Sequence, residues 1–175
     1  MSMEVKKMDE KTMLEADRKR LRRWIQNEGV VMCEAPEVQA MARPVFMSVT
    51  ESFPAYIPDC VQDFYVYRCS DQPEDLQSMD GINWKDCTRD AGNLYSIGLS
   101  VEALEKGTEY AIMICLHEMC HALCDIAEIG GNDEHDERFH AILDGLISRY
   151  NRQNGTAVEN DYFGLESDLD NQKNH

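Results

Sequence analysis

The sequence has few of the features that mark a secreted or membrane protein. Its longest apolar run, Tyr110 to Leu116, is far shorter than the roughly 20 residues that a membrane-spanning helix needs. Its first residues are charged, where a signal peptide would have an apolar stretch. We therefore expect a cytoplasmic protein with no membrane segment.

Paired cysteines are also lacking, because no two of the seven form a Cys-x-x-Cys motif. This argues against a disulfide framework and favours reduced thiols, several of them buried. One alternative is a structural zinc site built from four of the cysteines, although their spacing gives it little support. Its ligands would be Cys33, Cys60, Cys69 and Cys87.

Positive charge is scarce. The chain has 17 Lys and Arg against 33 Asp and Glu, which gives a formal net charge of −16. Such a surface repels phosphate backbones, so nucleic acid is not expected as a general partner. The exception is the basic segment Arg18–Arg23 on a predicted helix, which is either a solvated helix face or a strip that binds phosphate or another partner.

Apolar periodicity predicts an amphipathic helix from about Asp9 to Glu28. Residues 30–58 contain four prolines and are expected to be irregular, apart from a short strand at Val45–Thr50. The segment Phe64–Tyr67 has strong strand character.

Residues Ser70–Gly92 are rich in Asp, Asn and Gly, which predicts a long loop. The alternation in Asn93–Leu99 predicts a second strand at the edge of the sheet. Ser100 can cap a short helix, and Thr108 can cap a strongly apolar central helix that runs to about Glu128.

A last helix is predicted from about Glu134 to Arg152, capped by Asn132 or Asp133. The residues after it are polar and acidic, as in disordered tails. The chain is thus expected to comprise an N-terminal helix (1–29), one α+β domain (30–152) and a tail (153–175).

The central helix contains His117-Glu118-Met119-Cys120-His121. Residues four apart share a helix face, so His117 and His121 can bind one Zn²⁺ ion. Glu118 is rotated by about 100° from His117, beside the ion but outside its ligand set. As general base it can take a proton from a zinc-bound water and return it to a leaving amine.

Catalytic zinc needs a third protein ligand and an open position. Helix-face geometry favours His135, which opens the next helix on the face that carries Phe139. The alternatives are Cys124 and Glu128, which continue the stripe of the first two histidines, and His140, which lies on another face of the later helix.

Carboxylates often orient zinc-bound histidines, and a tyrosine hydroxyl can stabilise an oxyanion. The sequence does not choose among the candidates for either role. They are Asp125, Asp133 and Asp136 for the first role, and Tyr95, Tyr110 and Tyr150 for the second.

The helical motif followed by His135-x-x-x-Phe139 resembles the SprT-like (Spartan-type) zinc metallopeptidases, over about residues 63–147. The resemblance implies a small zincin-like α+β domain, with a short sheet whose edge strand packs on the His-Glu-x-x-His helix and a following helix. It also implies Zn²⁺ held by His117, His121 and His135, with Glu118 as the catalytic base. Asp136 stands where the family usually has Gly.

These features predict a zinc-dependent metalloendopeptidase that hydrolyses peptide bonds in a protein or peptide substrate. Two alternatives stay open, namely a zinc-dependent hydrolase of a non-peptide or small amide substrate, and a non-catalytic zinc-binding scaffold. Glu118 argues against the scaffold, because a structural site needs no base. If the strand Asn93–Leu99 borders the cleft, its edge could bind an extended peptide through the backbone.

Overall fold

The computed structural model describes residues 2–53, 63–86, 94–127 and 135–160, with side chains from residue 15 onward. These ranges contain five α-helices and one three-stranded sheet, which confirms the α+β class. The helices are α1 (Ser2–Asn27), α2 (Pro36–Ser52), α3 (Val101–Lys106), α4 (Thr108–Ile126) and α5 (Glu137–Asn154), and the strands are β1 (Asp63–Tyr67), β2 (Gly81–Asp86) and β3 (Leu94–Ser100). None of these helices is both long and apolar enough to cross a bilayer.

The sheet has the strand order β1-β3-β2, so β3 is its central strand. β1 runs parallel to β3, with Asp63 opposite Ser96, and β2 runs antiparallel to it, with Gly81 opposite Leu99. One face of the sheet packs on a core formed with α2, α4 and α5, and the other face packs on α1. The sheet is therefore covered on both sides.

The predicted strand at Asn93–Leu99 exists as β3, but its predicted place at the edge is wrong. Alternation suggested one buried face and one exposed face, whereas every residue of β3 is buried. The face that was expected to be exposed includes Ser96 and Gly98. Their small size leaves room for the tyrosines of β1 and for α1. A peptide cannot pair with a strand that already has two neighbours, so the edge strands are β1 and β2, and of these β2 packs on the helix Thr108–Ile126.

The long loop predicted at Ser70–Gly92 is also wrong in part, because it contains β2. The Asp, Asn and Gly residues of this segment conceal a short alternation of apolar and polar side chains, in which Ile82 and Trp84 share one face of the strand. Two 3₁₀ turns precede the strand, at Cys69–Asp71 and Glu74–Leu76. Residues 87–92 lie outside the described part of the chain.

Helix α2 replaces the irregular segment and the strand expected at Val45–Thr50. Pro36 occupies the first turn, where a missing N–H group costs little, and the helix continues through Pro44. Its apolar residues recur with helical spacing, a pattern that the prolines and valines obscured. The buried apolar residues are Val38, Ala42, Val45 and Val49.

Helix α1 begins earlier than predicted and docks on the sheet through its last turns. Leu21 and Ile25 are fully buried. The Arg22 guanidinium donates to both carboxylate oxygens of Asp63, at 2.7 and 3.1 Å, and to the main-chain oxygen of Phe64 at 2.8 Å. One member of the predicted basic strip therefore attaches α1 to β1. The proposed domain limits stay predictions.

Helix α4 is the centre of the fold. Ser100 caps α3 as predicted, accepting the Ala103 N–H at 3.0 Å, and Gly107 ends it with a φ of 130°. α4 then begins at Thr108, which does not act as the predicted cap. Because α4 packs against the sheet and against α2, α3 and α5, its middle turns are buried nearly all round.

Helix α5 begins at Glu137, later than the predicted Glu134, because Asp136 is its N-cap. The Asp136 carboxylate accepts hydrogen bonds from two main-chain N–H groups of the first turn, at 3.0 Å each. The expected caps at positions 132 and 133 lie outside the described residues. Capping by Asp136 fixes the backbone immediately after His135.

The contact between Arg22 and Asp63 is expected to contribute to the free energy of unfolding, because it holds α1 on the sheet. Arg22→Ala should lower the free energy of unfolding by about 1–2 kcal/mol, because it leaves the buried Asp63 carboxylate without its charged donor. Arg23→Ala, at an exposed position of the same helix, should change it by less than about 0.5 kcal/mol. Urea denaturation measures both values, and equal losses would contradict the docking role.

Candidate metal centre

His117 and His121 project from adjacent turns of α4 toward one position. Their Nε2 atoms lie 3.1 Å apart, which is the arrangement expected of residues four apart on a helix. His117 is 7% exposed and His121 is partly buried. The middle of α4 thus presents two nitrogen atoms side by side beneath the protein surface.

His135 brings a third nitrogen to the same position. Its Nε2 atom lies 3.0 Å from Nε2 of His121, and the ligand atoms of all three histidines lie within 4.8 Å of one another. Among the His, Cys, Asp and Glu side chains that the structure describes, this is the group of three that could hold a metal ion. The three residues predicted from sequence as ligands are therefore brought together.

The other candidates for a third ligand are not part of this group. Cys124 continues the stripe on α4, but it is about 4.5 Å further along the helix axis than His121. Burial also raises the pKa of its thiol, which favours the protonated form that binds metals poorly. His140 lies outside the group, and Glu128 is outside the described residues.

The chemistry of the triad suits a cation. Burial, followed by the neighbouring histidines, lowers the pKa of His117 to about 2 and that of His121 to about 4. Both rings are therefore neutral near pH 7, which is the form that binds metals. Nitrogens bound at about 2.0–2.1 Å to tetrahedral Zn²⁺ lie about 3.3 Å apart, close to the 3.0 and 3.1 Å found here. The residues fit a zinc ion.

Phe139 packs against all three imidazole rings. Its ring centroid lies 5.1 Å from that of His117, 4.7 Å from that of His121 and 5.0 Å from that of His135. It is only 2% exposed, and the Cys120 thiol donates to its main-chain oxygen at 3.5 Å. The ring therefore forms an apolar wall that limits rotation of the three imidazoles.

Glu118 is the buried acid of the site. It follows His117 on α4 and is 8% exposed. Burial raises the pKa of its carboxyl group to about 8, and a neighbouring cation would lower it again. A group that takes and returns a proton works best with a pKa near the working pH. The surroundings of Glu118 therefore suit acid–base chemistry.

The carboxylates proposed to orient the histidines have other partners. Asp125 accepts hydrogen bonds from the Tyr95 hydroxyl and, at 3.1 Å, from Nζ of Lys85. These contacts tie α4 to β3 and β2, a role that the sequence did not indicate. Asp136 caps α5, and Asp133 lies outside the described residues.

The three tyrosines considered as oxyanion donors also have partners away from the histidines. The Tyr110 hydroxyl donates to Asp80, which directly precedes β2. The Tyr150 hydroxyl donates to Ser48 of α2 at 3.0 Å, and that of Tyr95 donates to Asp125 as described above. The structure therefore gives no support for an oxyanion role of these hydroxyls.

If Phe139 holds the imidazoles in place, its loss should weaken metal binding as well as the fold. Phe139→Ala should raise the dissociation constant for Zn²⁺ by about 10–100-fold, as loss of other supporting groups does. Leu143→Ala empties another buried position of α5 and should lower the melting temperature with little change in zinc affinity. Competition with a chromophoric chelator measures both constants. Equal zinc dissociation constants for the two variants would show that Phe139 contributes only to core packing.

Three imidazoles thus meet where α4 lies beside the start of α5, and the buried Glu118 follows the first of them on α4. Two histidines come from α4, and the third comes from the residue that precedes the cap of α5. Comparisons with protein-family models, curated proteins and solved structures found no match to this chain.

Proposed function

We propose that the chain is a zinc-dependent metalloendopeptidase that hydrolyses peptide bonds. The observation that carries the proposal is the convergence of three imidazoles on one position, with a buried glutamate directly after the first of them on α4. A structural zinc site usually has four protein ligands and needs no base, whereas a catalytic site has three and keeps a position open. The residue pattern that resembles the SprT-like peptidases supplies these same four residues.

His117, His121 and His135 would hold the ion. When bound, zinc polarises a carbonyl group and makes water acidic enough to attack at neutral pH. The rings of His117 and His121 are already neutral and adjacent, so little rearrangement would be needed. Phe139 keeps solvent from one side of the rings, which strengthens the electrostatic interactions there.

Glu118 would be the general base. One of its carboxylate oxygens accepts a proton from the attacking water, and the same group then donates that proton to the departing amine. Burial favours the first step, because a carboxylate in a low-dielectric site binds a proton more strongly. The burial of Glu118 and its position directly after His117 on α4 support this role.

The sheet supports a peptide as substrate. β2 packs on α4, and within the described chain it pairs with β3 alone. An extended peptide can add to such an edge through main-chain hydrogen bonds, which requires little sequence preference. This replaces the expectation that Asn93–Leu99 forms the peptide-binding edge.

The cysteines support a reducing compartment, and we propose the cytoplasm. Five of them lie among the described residues and all are free. Free thiols persist where thioredoxin and glutathione keep them reduced. The free cysteines are Cys33, Cys69, Cys115, Cys120 and Cys124.

Glu118→Gln should separate metal binding from hydrolysis. The amide has nearly the same shape but cannot accept the proton from water, so cleavage of denatured casein should fall by about 10²–10⁴-fold. Zinc content should stay at the wild-type level, because the three imidazoles are unchanged. Elemental analysis and a gel-based cleavage assay measure the two quantities. Undiminished cleavage would dismiss Glu118 as the base.

Removal of one imidazole should instead abolish metal binding. His135→Ala should lose zinc on dialysis and should also lose hydrolysis, because two ligands bind zinc much more weakly than three. His140→Ala is the matched control, since this histidine lies on the first turns of α5, five residues after His135, but outside the group. It should retain both zinc and cleavage. Loss of zinc from the His140 variant alone would reverse the assignment of the third ligand.

A further inference from the structure

β2 runs along α4 at the turn that carries Glu118. Gly81, the first residue of β2, pairs with Leu99 of β3, which belongs to the core formed with α4. The same face of β2 is held to α4 again at Lys85, whose Nζ lies 2.9 Å from the Asp125 carboxylate. Residues 81 and 85 share this face because side chains alternate along a strand.

At Gly81 the backbone is too close to α4 for any side chain. An ideal Cβ atom would lie 2.6 Å from Cγ2 of Ile114, 2.9 Å from Cγ of Glu118 and 3.0 Å from Oε1 of Glu118. Cβ atoms in real structures essentially never approach other atoms within 3.0 Å. Ile114 and Glu118 are both buried, at 5% and 8% exposure, so a methyl group at position 81 would press on Glu118 as well as on Ile114.

We propose that Gly81 is a positioning residue for Glu118, because its missing side chain leaves the space that the Glu118 side chain occupies against β2. The inference rests on the proposed function, since it concerns the base of that reaction. Without a side chain at position 81, the backbone of β2 leaves room for the Glu118 side chain and also restricts its movement toward the sheet. A methyl group at position 81 displaces Glu118, whereas the three atoms nearest to that methyl group belong to no histidine.

Two other glycines provide matched controls. An ideal Cβ atom on Gly98 would lie 2.5–2.6 Å from atoms of Tyr65, which packs with α1 on the opposite face of the sheet. Gly98→Ala therefore causes a clash of similar severity away from Glu118. An ideal Cβ atom on Gly145 of α5 meets nothing within 4 Å. Gly145→Ala therefore causes no clash.

The experiment compares the three glycine-to-alanine variants as zinc-loaded proteins acting on denatured casein. Gly81→Ala should bind zinc with wild-type affinity, yet its cleavage rate per folded, zinc-containing molecule should fall by about a hundredfold. Gly98→Ala should have a lower melting temperature but an unchanged rate per folded molecule, and Gly145→Ala should match the wild type in both. A wild-type rate for Gly81→Ala, or an equal fall for Gly98→Ala, would overturn the inference.

A second readout does not depend on activity. Because the clash involves Glu118, the loss of melting temperature caused by Gly81→Ala should be smaller in a Glu118→Ala background than in the wild type. If the Gly81→Ala protein does not fold, the double variant Gly81→Ala/Ile114→Ala is compared with Ile114→Ala. Removing the Ile114 side chain relieves the 2.6 Å contact and leaves the two contacts with Glu118. Equal losses in both backgrounds would overturn the inference. Failure of the proposed function is distinct, because the wild-type protein itself would then cleave nothing.

Discussion

The close approach of three imidazoles, where α4 meets the start of α5, is the constraint on which the rest of the structure depends. Nitrogen atoms 3.0–3.1 Å apart require α4 and the start of α5 to lie in one fixed relative position. A small shift of either segment would separate the nitrogen atoms. Asp136 fixes where α5 begins, and Phe139 packs against all three rings. Burial keeps His117 and His121 uncharged, so one cation would satisfy the lone pairs of the group together.

The same helix connects the metal centre to the sheet. α4 turns its histidines toward α5 and its Glu118 toward β2, so one element carries both the ligands and the base. The ion pair of Lys85 with Asp125 fixes β2 further along α4. On the other face, α1 closes the sheet through Leu21, Ile25 and Arg22, so that β3 can be buried as a central strand. Edge strand, base and triad are thereby held in one rigid arrangement.

The pairing of His117 with His121 could be predicted from sequence because four-residue spacing on one helix determines it. His135 was also indicated, but the helix face used to choose it does not apply, because His135 precedes the N-cap of α5. The sheet was harder to predict, because β2 is short and lies among turn-forming residues, and because the small side chains of β3 resembled an exposed face. Gly81 gave no signal at all, since its importance depends on how closely another element approaches. Tertiary contacts of this kind leave no local pattern in a sequence.

X-ray absorption spectroscopy at the zinc edge of the metal-loaded protein tests the central claim most directly. We expect a first shell of nitrogen and oxygen at about 2.0–2.1 Å, with the multiple-scattering pattern of three imidazoles. The His135→Ala variant serves as a reference for two. A sulfur shell at about 2.3 Å, or a spectrum with fewer than three imidazoles in the wild-type protein, would contradict the three-histidine site.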